Sequence, residues 1–357
     1  MARIPVLEDL PDPAEKWVLV RATFDRPLAA DPAEPLALRR AQGLVATIEW
    51  LLDRGAHVTV TGDTREGGAS CLDHVRRCIE EVSTKDVSSV ELVSTSEDPK
   101  AVGQLVERYE LFVNDSLQDS LLPMPSLTVP ARRLPSAAGR TLQHDLGLLE
   151  GLLLEPARPF VAVLGGGRSA DRLHGLKGLV LRADTVLLGG ALALPMLQAL
   201  GKQPVVDSSE EFLWECRNVS GLARQVHHPI MLPLDLVWSG QGSMSVTPAD
   251  VRGGDEVIDI GPTTRLRFAE VLAGAGSILW AGALGRVEER ASSDGTRALA
   301  ESLPSEATVV LGGDALVRLL HAENLVPSSV SFLSATDAAI ELLKNGDLPA
   351  LAVLRRE

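Results

Sequence analysis

WVLVRATF (17–24), ALRRAQGLVATIEWLLDRG (37–55) and HVTVTG (57–62) follow one another near the start of the chain. The outer two are short, apolar and rich in β-branched residues, as strands buried on both faces must be. The middle one carries its apolar residues at helical spacing. Strand, helix and strand in this order form a crossover unit of a parallel sheet. The pattern continues outward. Further strands read at VELVS (90–94), ELFVND (110–115), FVAVLGG (160–166), TVLLGG (185–190), IMLPLDLV (230–237), SILWAG (277–282) and TVVLGG (308–313), with helical stretches between most of them. The class is α/β. Strands recur on both sides of TLQHDLGLLEGLLLEPARPF (141–160), whose Leu142, Leu146, Leu149, Leu152 and Leu153 share one helix face before Pro156 stops it. Two doubly wound parallel-sheet domains are therefore expected, residues 1–140 and 159–347, joined by an interdomain helix at 141–158. The closing segment 348–357, with LPALAVLRRE, is expected to be a strand or tail that packs back on the first domain.

The 357 residues carry 34 Lys plus Arg against 48 Asp plus Glu, a formal charge of -14. An acidic chain has no long-range attraction to phosphate backbones or anionic lipid, and no local basic run compensates, so neither nucleic acid nor membrane is expected as a partner. The start, MARIPVLEDLPDPAEKW, has no basic region followed by an apolar stretch, and no window is apolar enough for a span. A cytoplasmic monomer is expected. Cys71, Cys78 and Cys216 are too few for a disulfide framework and read as reduced core thiols.

Three strands end in glycine and lead toward a helix: Gly165-Gly166-Gly167-Arg168, Gly189-Gly190, and Gly312-Gly313-Asp314. Ligands of open α/β sheets collect at such carboxyl ends, where helix N-terminal amides favour anions. A phosphate-bearing ligand is the natural expectation, although glycines there also simply make tight turns. Arg168 and Arg172, four apart, are expected on one helix face, gripping successive phosphates or forming a solvated pair. Asp314 reads as a helix N-cap, as a ligand to nucleotide-bound magnesium, or as both. The histidines, including His227-His228, lack metal-site spacing, and there is no Walker or nucleophile-elbow motif.

At these landmarks the chain resembles the phosphoglycerate kinase family, two-domain enzymes that move a phosphoryl group between ATP and 3-phosphoglycerate. VLVRATFDRPL is similar to the family's VLVRVDFNVPL, and FVAVLGGGRSADRL to its FVAILGGAKVSDKI. IDIGPTT, ILWAGALGRVEE and VVLGGDA resemble LDIGPKT, IVWNGPMGVFE and VIGGGDS. The resemblance implies an N-terminal acceptor domain and a C-terminal nucleotide domain holding MgATP or MgADP. It places Arg168 and Arg172 where the family has phosphate-gripping lysines, Glu288 at the ribose and Asp314 at the metal. Gly165, Gly166, Gly167, Gly189, Gly190, Gly312 and Gly313 form the nucleotide cradle. Arg40 and Arg65 match acceptor-binding arginines, and Arg40 and Arg172 are the catalytic candidates.

Many positions depart from the family pattern. With 28 arginines against 6 lysines, a general drift toward Arg accounts for Arg168 and Arg172. Ala281 and Ala283 replace an asparagine and a proline on the adenosine side. On the acceptor side, Thr23 and Asp25 replace an aspartate and an asparagine, Gly62 replaces a histidine, and Leu121 to Met124 replace a basic cluster. The glycine loop S-T-G-G-G-A-S, which offers amides to the phosphoryl group in flight, is Ser334-Ala335-Thr336-Asp337-Ala338-Ala339 here. The favoured expectation is a pseudoenzyme with a weakened nucleotide site and an unidentified protein partner. The alternative is a working ATP-dependent phosphotransferase on 3-phosphoglycerate or another carboxylate acceptor.

Overall fold

Val18, Leu19, Val20 and Arg21 are all at most 1% exposed, so the first strand is buried on both faces as its unbroken apolar run requires. The computed structural model describes residues 3–24, 28, 31–63, 68–202, 207–239, 245–251, 256–327 and 330–355. Contacts divide the chain into two compact units, residues 1–149 with 346–357, and residues 150–345.

In the first unit the chain runs through β1 (Trp17–Arg21), α1 (Pro35–Leu52), β2 (His57–Gly62), α2 (Gly68–Val82), β3 (Glu91–Ser94), α3 (Pro99–Val106), β4 (Leu111–Asn114), α4 (Pro125–Arg133), β5 (Ser136–Ala138) and most of α5 (Arg140–Leu154), whose last residues belong to the second unit. The five strands form one parallel sheet in the order β3-β2-β1-β4-β5. Its register pairs Val18 with Val58 and Leu111. Pro35 sits in the first turn of α1, where its missing N–H costs nothing. Leu44, Ile48 and Leu51 of that helix, each at most 2% exposed, pack on Val18, Val20, Val58 and Val60. Each such side chain contributes about 1.5–3 kcal/mol of burial.

The second unit contains β6 (Phe160–Leu164), α6 (Ala170–Val180), β7 (Thr185–Leu188), α7 (Gly190–Ala199), α8 (Glu210–Gln225), β8 (Ile230–Met231), β9 (Leu236–Trp238), β10 (Ser245–Val246), β11 (Val257–Ile260), α9 (Pro262–Ala273), β12 (Ser277–Ala281), α10 (Asp294–Glu301), β13 (Thr308–Gly312), α11 (Asp314–Ala322), β14 (Val330–Leu333) and α12 (Thr336–Asn345). Six of these strands form a parallel sheet, β14-β13-β12-β6-β7-β8. β10, β9 and β11 form a small antiparallel sheet.

Three readings need correction. IMLPLDLV is not one strand. Pro233 has no N–H to give a ladder, and the run divides into β8 of the large sheet and β9 of the small one, a third sheet that strand spacing did not reveal. The C-terminal segment is neither strand nor tail. Pro349 in its first turn and the apolar Ala350, Leu351 and Leu354 make it a short buried helix, α13 (Pro349–Leu354), within the first unit. Arg168 is not on α6, because Ser169 is the N-cap and its hydroxyl accepts the Arg172 N–H at 3.1 Å.

Candidate functional site

Strand order locates one crevice in each sheet. In an open α/β sheet the chain runs outward in both directions from one pair of strands, and ligands bind beyond the carboxyl ends of that pair. That pair is β6 and β12 in the second unit and β1 and β4 in the first.

Gly165 and Gly282 follow the ends of β6 and β12. The Gly165 N–H donates to the Ala281 carbonyl at 2.9 Å, and that of Gly166 to Ala283 at 2.6 Å. Gly190 opens α7 with φ +61°, and an added Cβ would lie 2.6 Å from the Gly166 nitrogen, so only glycine fits. Gly189 is the N-cap of α7, and a side chain on it would strike Leu284. Gly313, with φ +113°, caps α11, which puts Asp314 in the first helical turn rather than at the N-cap expected of it. Gly312 lies beneath the Thr336 hydroxyl, where a side chain would overlap that atom. A Cβ on Gly167 would meet nothing within 4 Å. Apart from Gly167, the glycines of the cradle are required by a positive φ or by the close approach of backbone or side-chain atoms.

The cations placed around this cradle are already engaged. Arg172 donates from Nη1 to the carbonyls of Gly165 (2.7 Å) and Ala281 (3.1 Å), the last acceptors on both sides of the crevice. Its Nη2 lies 3.8 Å from the Asp337 carboxylate, in the first turn of α12. Gly175 and Gly178 let α12 come close enough for this, since a Cβ on Gly175 would lie 2.8 Å from Ile340. Arg168 turns away from Arg172 and donates to the Asp207 carbonyl (2.6 Å) and to Ser208 Oγ (3.0 Å). The two guanidiniums therefore do not share a helix face. Glu288 is exposed in the segment after β12, and Asp314 is half-buried.

At the crevice of the first unit the described residues are neutral or paired with one another. Thr23 Oγ1 and Ser116 Oγ are 2.5 Å apart, joining the segments that leave β1 and β4. Thr23 also donates to Asp119 Oδ2 at 3.3 Å, and that oxygen pairs with Arg21 Nη1 at 2.8 Å. Arg21 Nε donates to Ser126 Oγ at 3.2 Å, while that hydroxyl and the Ser126 N–H donate to Glu97. The Phe24 ring covers Gly62 so closely that a side chain at 62 would overlap it. Leu122, where the family pattern is basic, is 60% exposed. Arg40 is 5% exposed within α1 and engaged with other groups, so it is a buried residue. Arg65 and Asp25 lie outside the described residues.

The Arg21, Ser116, Asp119 and Glu97 network escaped sequence reading. Its members are polar residues scattered over a hundred positions, and only strand order brings them together. Among the described residues no group of His, Cys, Asp and Glu is arranged to hold a metal ion, and no helix is long and apolar enough to cross a membrane.

A sequence model described as "Phosphoglycerate kinase" matches residues 61–346, most of the chain. The chain belongs to the phosphoglycerate kinase family. It is 30% identical to a phosphoglycerate kinase of Parafrankia sp. (strain EAN1pec), over 99% of this chain and 90% of that protein. It is also 30% identical to one of Mycobacterium tuberculosis (strain ATCC 25177 / H37Ra), over 100% and 88%. Among solved structures, phosphoglycerate kinase from Coxiella burnetii superposes with a TM-score of 0.77 at 22% identity, covering 99% of both chains. At that identity the match speaks for the fold, and it agrees with the two parallel sheets described above. The chain thus has the phosphoglycerate kinase fold, with Arg172 seated at the end of the crevice between β6 and β12.

Proposed function

We propose that this member of the phosphoglycerate kinase family is a pseudoenzyme that retains a weak adenine-nucleotide site on its second unit and has lost transfer to 3-phosphoglycerate. The observation that carries this reading is the network of contacts that crosses the crevice between β1 and β4. A phosphorylated carboxylate needs several converging cations. Among the described residues, the groups at this crevice are instead Thr23, Ser116 and the paired Arg21 and Asp119, with Phe24 over Gly62. Phosphoryl transfer depends on positioning and charge stabilisation together, so losing the acceptor cations and the glycine loop removes both. Weak binding of MgADP or MgATP is supported by the glycine cradle and by Asp314 in the first turn of α11. Action through a protein partner, as a cytoplasmic monomer, completes the proposal.

The test is a coupled assay with MgATP and 3-phosphoglycerate beside calorimetry with MgADP on the same sample. The expected result is measurable nucleotide binding without turnover. A kcat within the ordinary enzyme range, roughly 1–1000 per second, overturns the pseudoenzyme reading, and absence of any nucleotide binding overturns the site.

A further inference from the structure

We infer that Asp337 acts as a built-in anion competing with the phosphate chain of any bound nucleotide, so that the site discriminates against charge and takes nucleosides and nucleoside monophosphates in preference to ATP. This rests on the nucleotide site proposed above and names its ligand class.

The guanidinium of Arg172 lies at the carboxyl ends of β6 and β12, where strand order puts the ligand. One of its amino groups is spent on the Gly165 and Ala281 carbonyls, and the other faces Asp337. The Asp337 side chain is 45% exposed and Arg172 17%, so the carboxylate is the more solvent-accessible member of the pair. A carboxylate in the first turn of α12 also takes the favourable interaction that helix N-terminal amides offer an anion. Arg172 and Asp337 together are neutral. Arg168 adds little, because its Nη1 is turned to Asp207 and Ser208. Each additional phosphate must displace Asp337 from Arg172 and then lie beside its negative charge, whereas an uncharged nucleoside meets neither cost. The pair is partly solvated, so the discrimination is graded rather than absolute.

The test compares the full-length protein with Asp337→Asn by calorimetry, without magnesium, against adenosine, AMP, ADP and ATP, whose charge rises with each phosphate. The substitution is expected to tighten ATP about tenfold, as removal of one opposing unit charge at a partly solvated site should. The gain should shrink with each phosphate removed and stay within about twofold for adenosine, which carries no charge for Asp337 to oppose. Equal gains for adenosine and ATP, or none for any phosphate-bearing ligand, overturn the inference. Inorganic tripolyphosphate supplies an arm without a nucleoside, and it should raise the melting temperature of Asp337→Asn more than that of the parent. If adenosine and the nucleotides bind neither protein, the adenine site is wrong. The tripolyphosphate comparison then still decides the role of Asp337, and equal shifts reject it.

Discussion

Asp115 follows the end of β4 and is 3% exposed. It accepts from the Thr141 N–H and hydroxyl, both at 2.8 Å, and from Thr47 Oγ1 at 3.2 Å. Burial pushes its carboxyl up from 3.8 to about 7, and these hydrogen bonds offset the shift only in part. Burial likewise raises Asp259 to about 6, against the N–H groups of Gly295 and Ile260 and the Arg265 guanidinium. A carboxyl raised on folding contributes stability that is fully present below its unfolded value and is lost as pH rises through the folded one. The contribution of Asp115 should therefore fall away between about pH 4 and pH 7. Urea unfolding across that range should show a shallower loss in Asp115→Asn than in the parent, and identical slopes would mean the carboxyl is ionised throughout. Asp119 presents the other kind of buried charge. It pairs with Arg21, which is 0% exposed and whose Nη2 has no hydrogen-bond partner. Asp119→Ala should cost about 3–5 kcal/mol, because it strands a buried guanidinium. Replacing Arg21 and Asp119 together by leucine should cost less than that single change, and denaturant midpoints measure both.

The first turn of α12 is the element in which the family's loop chemistry and the packing of this chain conflict. Thr336 covers Gly312 and is 7% exposed, Ala338 is buried, and Asp337 faces Arg172. Changing residues 336–338 all to glycine would recreate the bare backbone of the family loop. It should also cost about 1 kcal/mol per residue in helix propensity. We expect this triple variant to be folded, less stable by about 2–3 kcal/mol, and still unable to phosphorylate 3-phosphoglycerate, since the crevice between β1 and β4 is unchanged. Turnover by the triple variant at a readily measured rate would mean that Arg40 and Arg65 suffice to hold the acceptor. The reciprocal repair meets a steric obstacle. Gly62→His must displace the Phe24 ring and should lower stability by about 1–3 kcal/mol through overpacking, without creating acceptor affinity.

For the molecule as a whole, the expectation is one ligand-binding unit and one whose crevice is shut. Charge reversal at Arg168 should weaken adenine nucleotide more than charge reversal at Arg65, which belongs to the first unit. Calorimetry on the two variants decides this, and equal effects would contradict a nucleotide seated on the second unit. The formal charge of -14 adds a uniform opposition to anionic ligands. Raising ionic strength should therefore relieve part of the weakness toward MgATP while leaving adenosine nearly unaffected.

The parallel sheets were legible because strands buried on both faces must be apolar throughout, and helices between them must show the 3.6-residue period. Eight of the nine strand runs match strands of the parallel sheets directly. The glycine cradle was legible for a similar reason, since positive φ and close backbone approach leave only one residue type at Gly190 and Gly313. Local pattern failed where a residue's role depends on a distant partner. Arg168 and Arg172 have helical spacing, yet the Ser169 cap separates them, and each finds backbone carbonyls far along the chain. Nothing near Thr23 announces Ser116 or Asp119, more than ninety residues away. The sequence by itself determined the family, the strand order it implies and the positions where charge was lost. Only the tertiary structure decided what fills the spaces left behind, because occupancy of a crevice depends on side chains that meet through parallel crossovers rather than along the chain.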